Sequence, residues 1–109
     1  MANLTHQRRI ASLQSALAPL RVLLERESIV EIMLNADGRI WIDELGCGMS
    51  CTEIVMSAED ADRMIRLVAA SSNTEINERN PSLAAKLPEW GARLQASVPP
   101  IVSRPVFAL

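Results

Sequence analysis

Ile29-Val30-Glu31-Ile32-Met33-Leu34-Asn35-Ala36-Asp37-Gly38-Arg39-Ile40-Trp41-Ile42-Asp43 is the stretch that decides the fold class. Residues 29–34 are rich in β-branched and large apolar side chains, and residues 39–43 alternate polar and apolar. Asp37-Gly38 between them is a turn signal, so the stretch predicts a β-hairpin. Parity selects its register. A three-residue loop, Ala36-Asp37-Gly38, sets Leu34 opposite Ile40 and Ile32 opposite Ile42, with Val30 beside them on one apolar face. A two-residue loop would put Arg39 and Trp41 on that face instead. The three-residue loop asks Gly38 to take the left-handed position of a type I turn with a bulge. It also leaves Glu31 facing Asp43 on the outer side, and Asn35 is expected to cap the turn through its side chain.

On the C-terminal side of the hairpin, Gly46 and Gly48 mark a loop and Cys51–Met56 reads as a third strand. Ser57 is an N-cap, with Glu59 and Asp60 in the first turn, where the helix dipole favours acids. Ala61, Met64, Ile65 and Val68 form the apolar face of that helix, which runs to about Ala70. Leu83, Ala85 and Leu87 alternate with Ser82, Ala84 and Lys86. After a turn over 88–91, Leu94, Ala96 and Val98 alternate with Arg93, Gln95 and Ser97, the cleanest period-two pattern in the chain. Pro99-Pro100 interrupts that ladder. Val106-Phe107-Ala108-Leu109 reads as part of a further strand, and the chain is read as a fragment of a longer protein.

On the N-terminal side, Ile10, Leu13, Leu17, Leu20 and Leu24 recur at helical steps and form one stripe. Pro19 interrupts it: either the helix kinks there, or a second helix begins with Pro19 in its first turn. Helices and hairpins come in separate runs, so the expected class is α+β, an antiparallel sheet with helices packed on it, in a single domain over residues 1–109.

Composition narrows the function classes. Of 109 residues, 49% are hydrophobic and 22% charged, with a formal net charge of −2. That is a globular balance able to bury a core without metals or disulfides. The basic residues are arginines except Lys86, and no basic run exceeds Arg8-Arg9. With only Trp41, Trp90 and Phe107 as aromatics, stacking and phosphate tracking along a nucleic acid are poorly served, and no direct nucleic-acid contact is expected. Cys47 and Cys51 lack a second cysteine pair, and His6 is the single histidine, so no zinc set is expected. The two thiols are read as free and buried or half-buried. No stretch approaches the ~18 apolar residues of a membrane span, and the N-terminus lacks the apolar run of a signal peptide.

Several blocks, taken in order, resemble one family, the traffic ATPases of conjugative transfer and type IV secretion. They are Leu17-Ala18-Pro19-Leu20, then Ile29-Val30-Glu31-Ile32-Met33-Leu34-Asn35, then Asp37-Gly38-Arg39-Ile40-Trp41-Ile42-Asp43. Leu87-Pro88 follows, with Gly91-Ala92-Arg93-Leu94-Gln95-Ala96 and Pro99-Pro100-Ile101-Val102. The resemblance covers roughly Leu17 to Leu109; Trp90 departs from it, standing where many relatives carry a second glycine or a small residue. It implies an N-terminal domain followed by a RecA-like domain, six copies in a ring, and ATP with Mg²⁺ held between the two domains in the full-length protein. It further implies a cytoplasmic protein peripheral at the inner membrane, partnered by its own RecA-like domain, neighbouring subunits and inner-membrane secretion components. These 109 residues contain no G-x-x-x-x-G-K-[ST] loop. The fragment alone is therefore expected to bind no nucleotide and to hydrolyse none.

Arg93 shares the polar face of its strand with Gln95 and Ser97. Spacing alone leaves it a solvated or ion-paired surface arginine. The resemblance implies a role like an arginine finger, a planar fork answering charge on a γ-phosphate. A second family arginine would fall just beyond Leu109. Arg104, in a proline-bounded loop, is a further nucleotide-proximal candidate, or else an exposed loop charge. Glu31, Trp41 and Trp90 are candidate subunit-interface residues. For Trp41 the alternative is packing under Arg39 or the first helix. Glu31 with Asp43 alone makes a poor divalent-ion site. The first helix, with Arg8 and Arg9 at its start, either lies on lipid or docks its leucine stripe on protein. The rivals to the ATPase reading are a stand-alone adaptor domain that binds another secretion component without nucleotide, and a single-strand nucleic-acid binder.

Overall fold

The computed structural model describes residues 2–72, 74–77, 79–87, 92–99, 102 and 104–109; among the first ten side chains it describes that of Arg8. Two three-stranded antiparallel meanders lie edge to edge in one six-stranded sheet. The first comprises β1 (Ile29–Leu34), β2 (Arg39–Glu44) and β3 (Gly48–Val55), and the second β4 (Ser82–Lys86), β5 (Arg93–Ser97) and β6 (Val106–Ala108). The strand order is β3-β2-β1-β6-β5-β4. The α+β class read from the sequence holds.

The β1–β2 register is the one parity selects: Leu34 pairs with Ile40, Ile32 with Ile42, Met33 with Trp41 and Glu31 with Asp43. Gly38 has φ +81°, the left-handed conformation the loop demands. One side chain departs from expectation. Ile29 pairs with Glu44 while Glu31 pairs with Asp43, so Val30 is the extra residue of a bulge. The bulge turns Val30 outward to 59% exposure, and Ile29 packs against the core in its place. The turn is capped by Asp37, whose Oδ1 accepts from the Arg39 amide at 2.9 Å. Among the described residues Asn35 contributes its backbone, the carbonyl accepting from the Gly38 amide at 3.0 Å and the amide donating to Arg39 O at 3.3 Å. β3 starts three residues earlier than expected, at Gly48, and Met56 leaves the strand to enter the core at 4% exposure.

The helices cover one face of the sheet. α1 (Ala2–Leu17) ends in a 3₁₀ turn over Ala18–Leu20 with Pro19 in its first turn, and α2 (Arg21–Leu24) follows. Pro19 thus produces a break rather than a smooth kink. The break shifts the stripe's phase, because a 3₁₀ turn holds three residues rather than 3.6. Leu13, Leu17, Leu20 and Leu23 are buried, and Leu24, expected in the stripe, is only partly so. α3 (Ala58–Ser71) begins at Ser57, whose hydroxyl accepts from the Asp60 amide at 3.0 Å. Ala61, Met64, Ile65 and Val68 on its inner face are each 0% exposed. They meet the sheet's inward side chains, Ile32, Leu34, Ile40, Ile42, Leu83, Leu94, Ala96 and Phe107, in a single core.

β6 joins the meanders. Phe107 pairs with Leu34 of β1 and with Ala96 of β5, and Leu109 exchanges backbone bonds with Ile32 at 2.7 and 3.1 Å. Where β1 begins and β2 ends, Arg26 and Ser28 donate to Oε2 of Glu44, the hydroxyl at 2.6 Å. The Ser28 hydroxyl, with help from the Arg26 charge, holds the Glu44 carboxyl below its ordinary value against an opposing desolvation.

Candidate functional site

Because side chains alternate across a strand, burying one face of this sheet leaves the other a bare surface whose composition follows from the register. Two rows cross it. One row reads Cys51, Trp41, Met33, Ala108, Gln95 and Ala84, each residue paired with the next across neighbouring strands. The adjoining row, nearer Leu87 and Ala92, holds Met49, Asp43 and Glu31 on β3, β2 and β1. On β5 and β4 it holds Arg93 and Lys86, which face each other. In this row acidic charge therefore sits on the first meander and basic charge on the second, while Arg39 is exposed at the far end of β2. A shallow trough of about 810 Å³ runs between them, lined by Met33, Asn35, Ala84, Gln95, Ser97 and Ala108 among others.

Arg93 opens β5 with its side chain exposed, while its neighbour Leu94 is 0% exposed. The strand is thus anchored from beneath while the Arg93 side chain is exposed on the other face. Among the described residues the ion pairs are Arg21–Glu25, Arg26–Glu44 and Arg66–Asp62, so Arg93 is not consumed by a carboxylate there.

Arg104 is elsewhere. A Cβ built on Gly38 would lie 3.6 Å from its Nη2, so its guanidinium drapes over the β1–β2 turn. That turn lies beyond the Ser97 end of β5, whereas Arg93 lies at the other end, ~13 Å of strand away at about 3.3 Å per residue. The structure does not bring the two arginines together.

Trp41 is half-buried beside Met33 on the bare face, and its indole Nε1 is buried without a hydrogen-bond partner among the described residues. The first helix lies on the opposite face, so Trp41 does not pack beneath it. Glu31 is half-buried next to Asp43, and no group of three or more His, Cys, Asp or Glu side chains gathers among the described residues. Trp90 lies outside the described residues. Cys47 and Cys51 are free and exposed, not buried as expected. Cys47 occupies the β2–β3 turn, and Cys51 points from an edge strand to the bare face. The leucine stripe of α1 is spent on the core, and no helix among the described residues is long and apolar enough to cross a membrane.

Lys86 is the residue the sequence reading passed over. Its signal was the alternation of Ser82, Ala84 and Lys86. What was missing was the register that sets it against Arg93.

Comparison with known proteins fits this architecture. No family model matches the chain. A probable conjugal transfer protein TrbB of Sinorhizobium fredii is 36% identical over 106 residues, which are 96% of this chain and 32% of that protein. TrbB of Rhizobium radiobacter is 37% identical over the same length. The crystal structure of the VirB11 ATPase of the Brucella suis type IV secretion system, in complex with sulphate, superposes with a TM-score of 0.79. That match has 24% identity and covers 89% of this chain and 30% of that one. Sequence and fold fit the N-terminal domain of a TrbB-like traffic ATPase. VirB11 of Bartonella quintana, at 24% identity over 100 residues, belongs to the same set. The chain spans about a third of the length of the relatives it matches.

Proposed function

We propose that this domain is the nucleotide-facing, ring-forming part of a hexameric ATPase that powers conjugative DNA transfer or type IV secretion. The carrying observation is Arg93, exposed at the edge of a bare sheet face, anchored through Leu94 and unpaired among the described residues. The planar guanidinium loses less entropy per hydrogen bond than a flexible ammonium, and its fork matches the oxygens over which charge spreads in phosphoryl transfer. The relatives' names support the reading, since TrbB is a conjugal transfer protein and VirB11 an ATPase of a type IV secretion system.

The chain's own chemistry fits a supporting role. It has no phosphate-binding loop, and its described carboxylates form no metal-holding cluster. ATP and Mg²⁺ would be held by a RecA-like domain in the full-length protein, where bound triphosphate supplies the reacting phosphoryl group. Arg93 would close over it from this domain. Trp41 and Glu31, both half-buried on the bare face, would face neighbouring subunits, where aromatic side chains anchor interfaces well. Trp90 is proposed for the same contact on sequence grounds. The site of action would be the cytoplasmic side of the inner membrane, among the other secretion components.

The experiment is Arg93→Ala in the full-length ATPase. A finger predicts a kcat lower by ~10³-fold with the protein still folded and assembled. Unchanged turnover refutes the role.

A further inference from the structure

Lys86 and Arg93 are directly opposed on β4 and β5, both exposed on the bare face. Cβ atoms of such a pair lie about 4.5–5.5 Å apart, and like charges placed so destabilise a strand pair. Neither side chain has an ion-pair partner among the described residues. Their neighbours on the same face are Ala84 and Gln95, which bring no negative charge. Glu31 stands two strands away at about 4.8 Å per strand and lines a pocket together with Arg93, but no ion pair joins them among the described residues. A pocket of about 460 Å³ lies against Ala84, Ala85, Lys86 and Arg93.

We propose that Lys86 and Arg93 form one clamp for a polyphosphate chain, with Lys86 a binding residue beside the arginine. The proposal rests on the nucleotide-facing reading above and adds a second cation to it. Two adjacent cations of different shape suit adjacent phosphoryl groups: the guanidinium forks two oxygens of one, and the compact ammonium neutralises its neighbour. Bound polyanion would relieve the repulsion between the two cations. A nucleic-acid backbone needs a longer basic track, which a chain of net charge −2 with one such pair does not offer.

The test titrates the 109-residue chain with tripolyphosphate, following amide resonances at low and at physiological salt. Lys86→Ala and Arg93→Ala should each weaken binding ~5–10-fold. The double variant should lose less than the product of the single losses, because the two groups share one ligand. Lys86→Arg should retain affinity. In the full-length ATPase, Lys86→Ala should raise KM for ATP about fivefold and leave kcat within about twofold, since it removes ground-state binding. Three results would overturn the clamp: no saturable tripolyphosphate binding, wild-type affinity in Lys86→Ala, or tighter binding of single-stranded oligothymidylate than of tripolyphosphate. Failure of the finger reading looks different. There, Arg93→Ala leaves kcat unchanged while both single variants still lose tripolyphosphate affinity, and the clamp stands.

Discussion

Phe107→Ala tests whether the two meanders are one cooperative sheet. Phe107 is 4% exposed and sits at the middle of a strand only three residues long. It pairs with Leu34 on one side and Ala96 on the other, so its ring fills the part of the core where the meanders meet. Truncation of such a phenylalanine costs about 3–5 kcal/mol, a transfer loss plus a cavity the surroundings only partly fill. Against a domain stability of about 5–15 kcal/mol that is a large fraction. At roughly 4–8 °C per kcal/mol for a domain of this size, Tm should fall by ~12–40 °C. Urea denaturation followed by circular dichroism gives the loss directly. Hydrogen exchange locates it, with the Ile32 amide, which donates to Leu109, and the β5 amides facing β6 losing protection first. Val106→Ala, one residue away on the bare face, is the control and should cost about 1 kcal/mol or less. A Phe107→Ala loss below about 1.5 kcal/mol, with both meanders still protected, would refute the reasoning. The meanders would then be stable separately, and β6 would not set the position of Arg93.

Gly38→Ala should destabilise by ~1 kcal/mol through backbone strain alone, because the new Cβ would meet Met56 O at 3.5 Å and Arg104 Nη2 at 3.6 Å, both ordinary contacts. A neutral result in urea denaturation would count against the left-handed turn. Glu44 makes stability depend on acid. Its folded-state carboxyl is held below its ordinary value, so its contribution is present above the unfolded value of ~4.3 and lost as pH falls through the folded one. The stability gap between wild type and Glu44→Gln should therefore be open at neutral pH and close in acid; a gap constant across that range would contradict the Ser28–Glu44–Arg26 contact.

Much of the local structure could be read from the sequence, because it is set by short-range rules. The hairpin register of Leu34 with Ile40 follows from parity. The start of α3 follows from one hydroxyl at Ser57, and the placement of Arg93 on a polar face follows from alternation with Leu94. The resemblance of the ordered blocks to traffic ATPases was also legible, since it depends on residue identity and spacing. What the sequence left open depends on contacts between distant segments. The slot of β6 between β1 and β5 has no local signature, because its pairing partners lie nine to thirteen residues away on β5 and more than seventy away on β1. The bulge at Val30 and the slip of the stripe from Leu24 to Leu23 arise from how neighbouring elements pack, and periodicity assumes an unbroken helix or strand. The exposure of Cys47 and Cys51 follows from a turn and an edge strand whose places only the assembled sheet assigns. Pattern told which face Arg93 and Lys86 would take within their strands; only the folded sheet decided that they oppose each other and that Arg104 stands at the far end. A side chain's periodicity is a property of its own segment, whereas its neighbours in space are chosen by the core that all segments bury together.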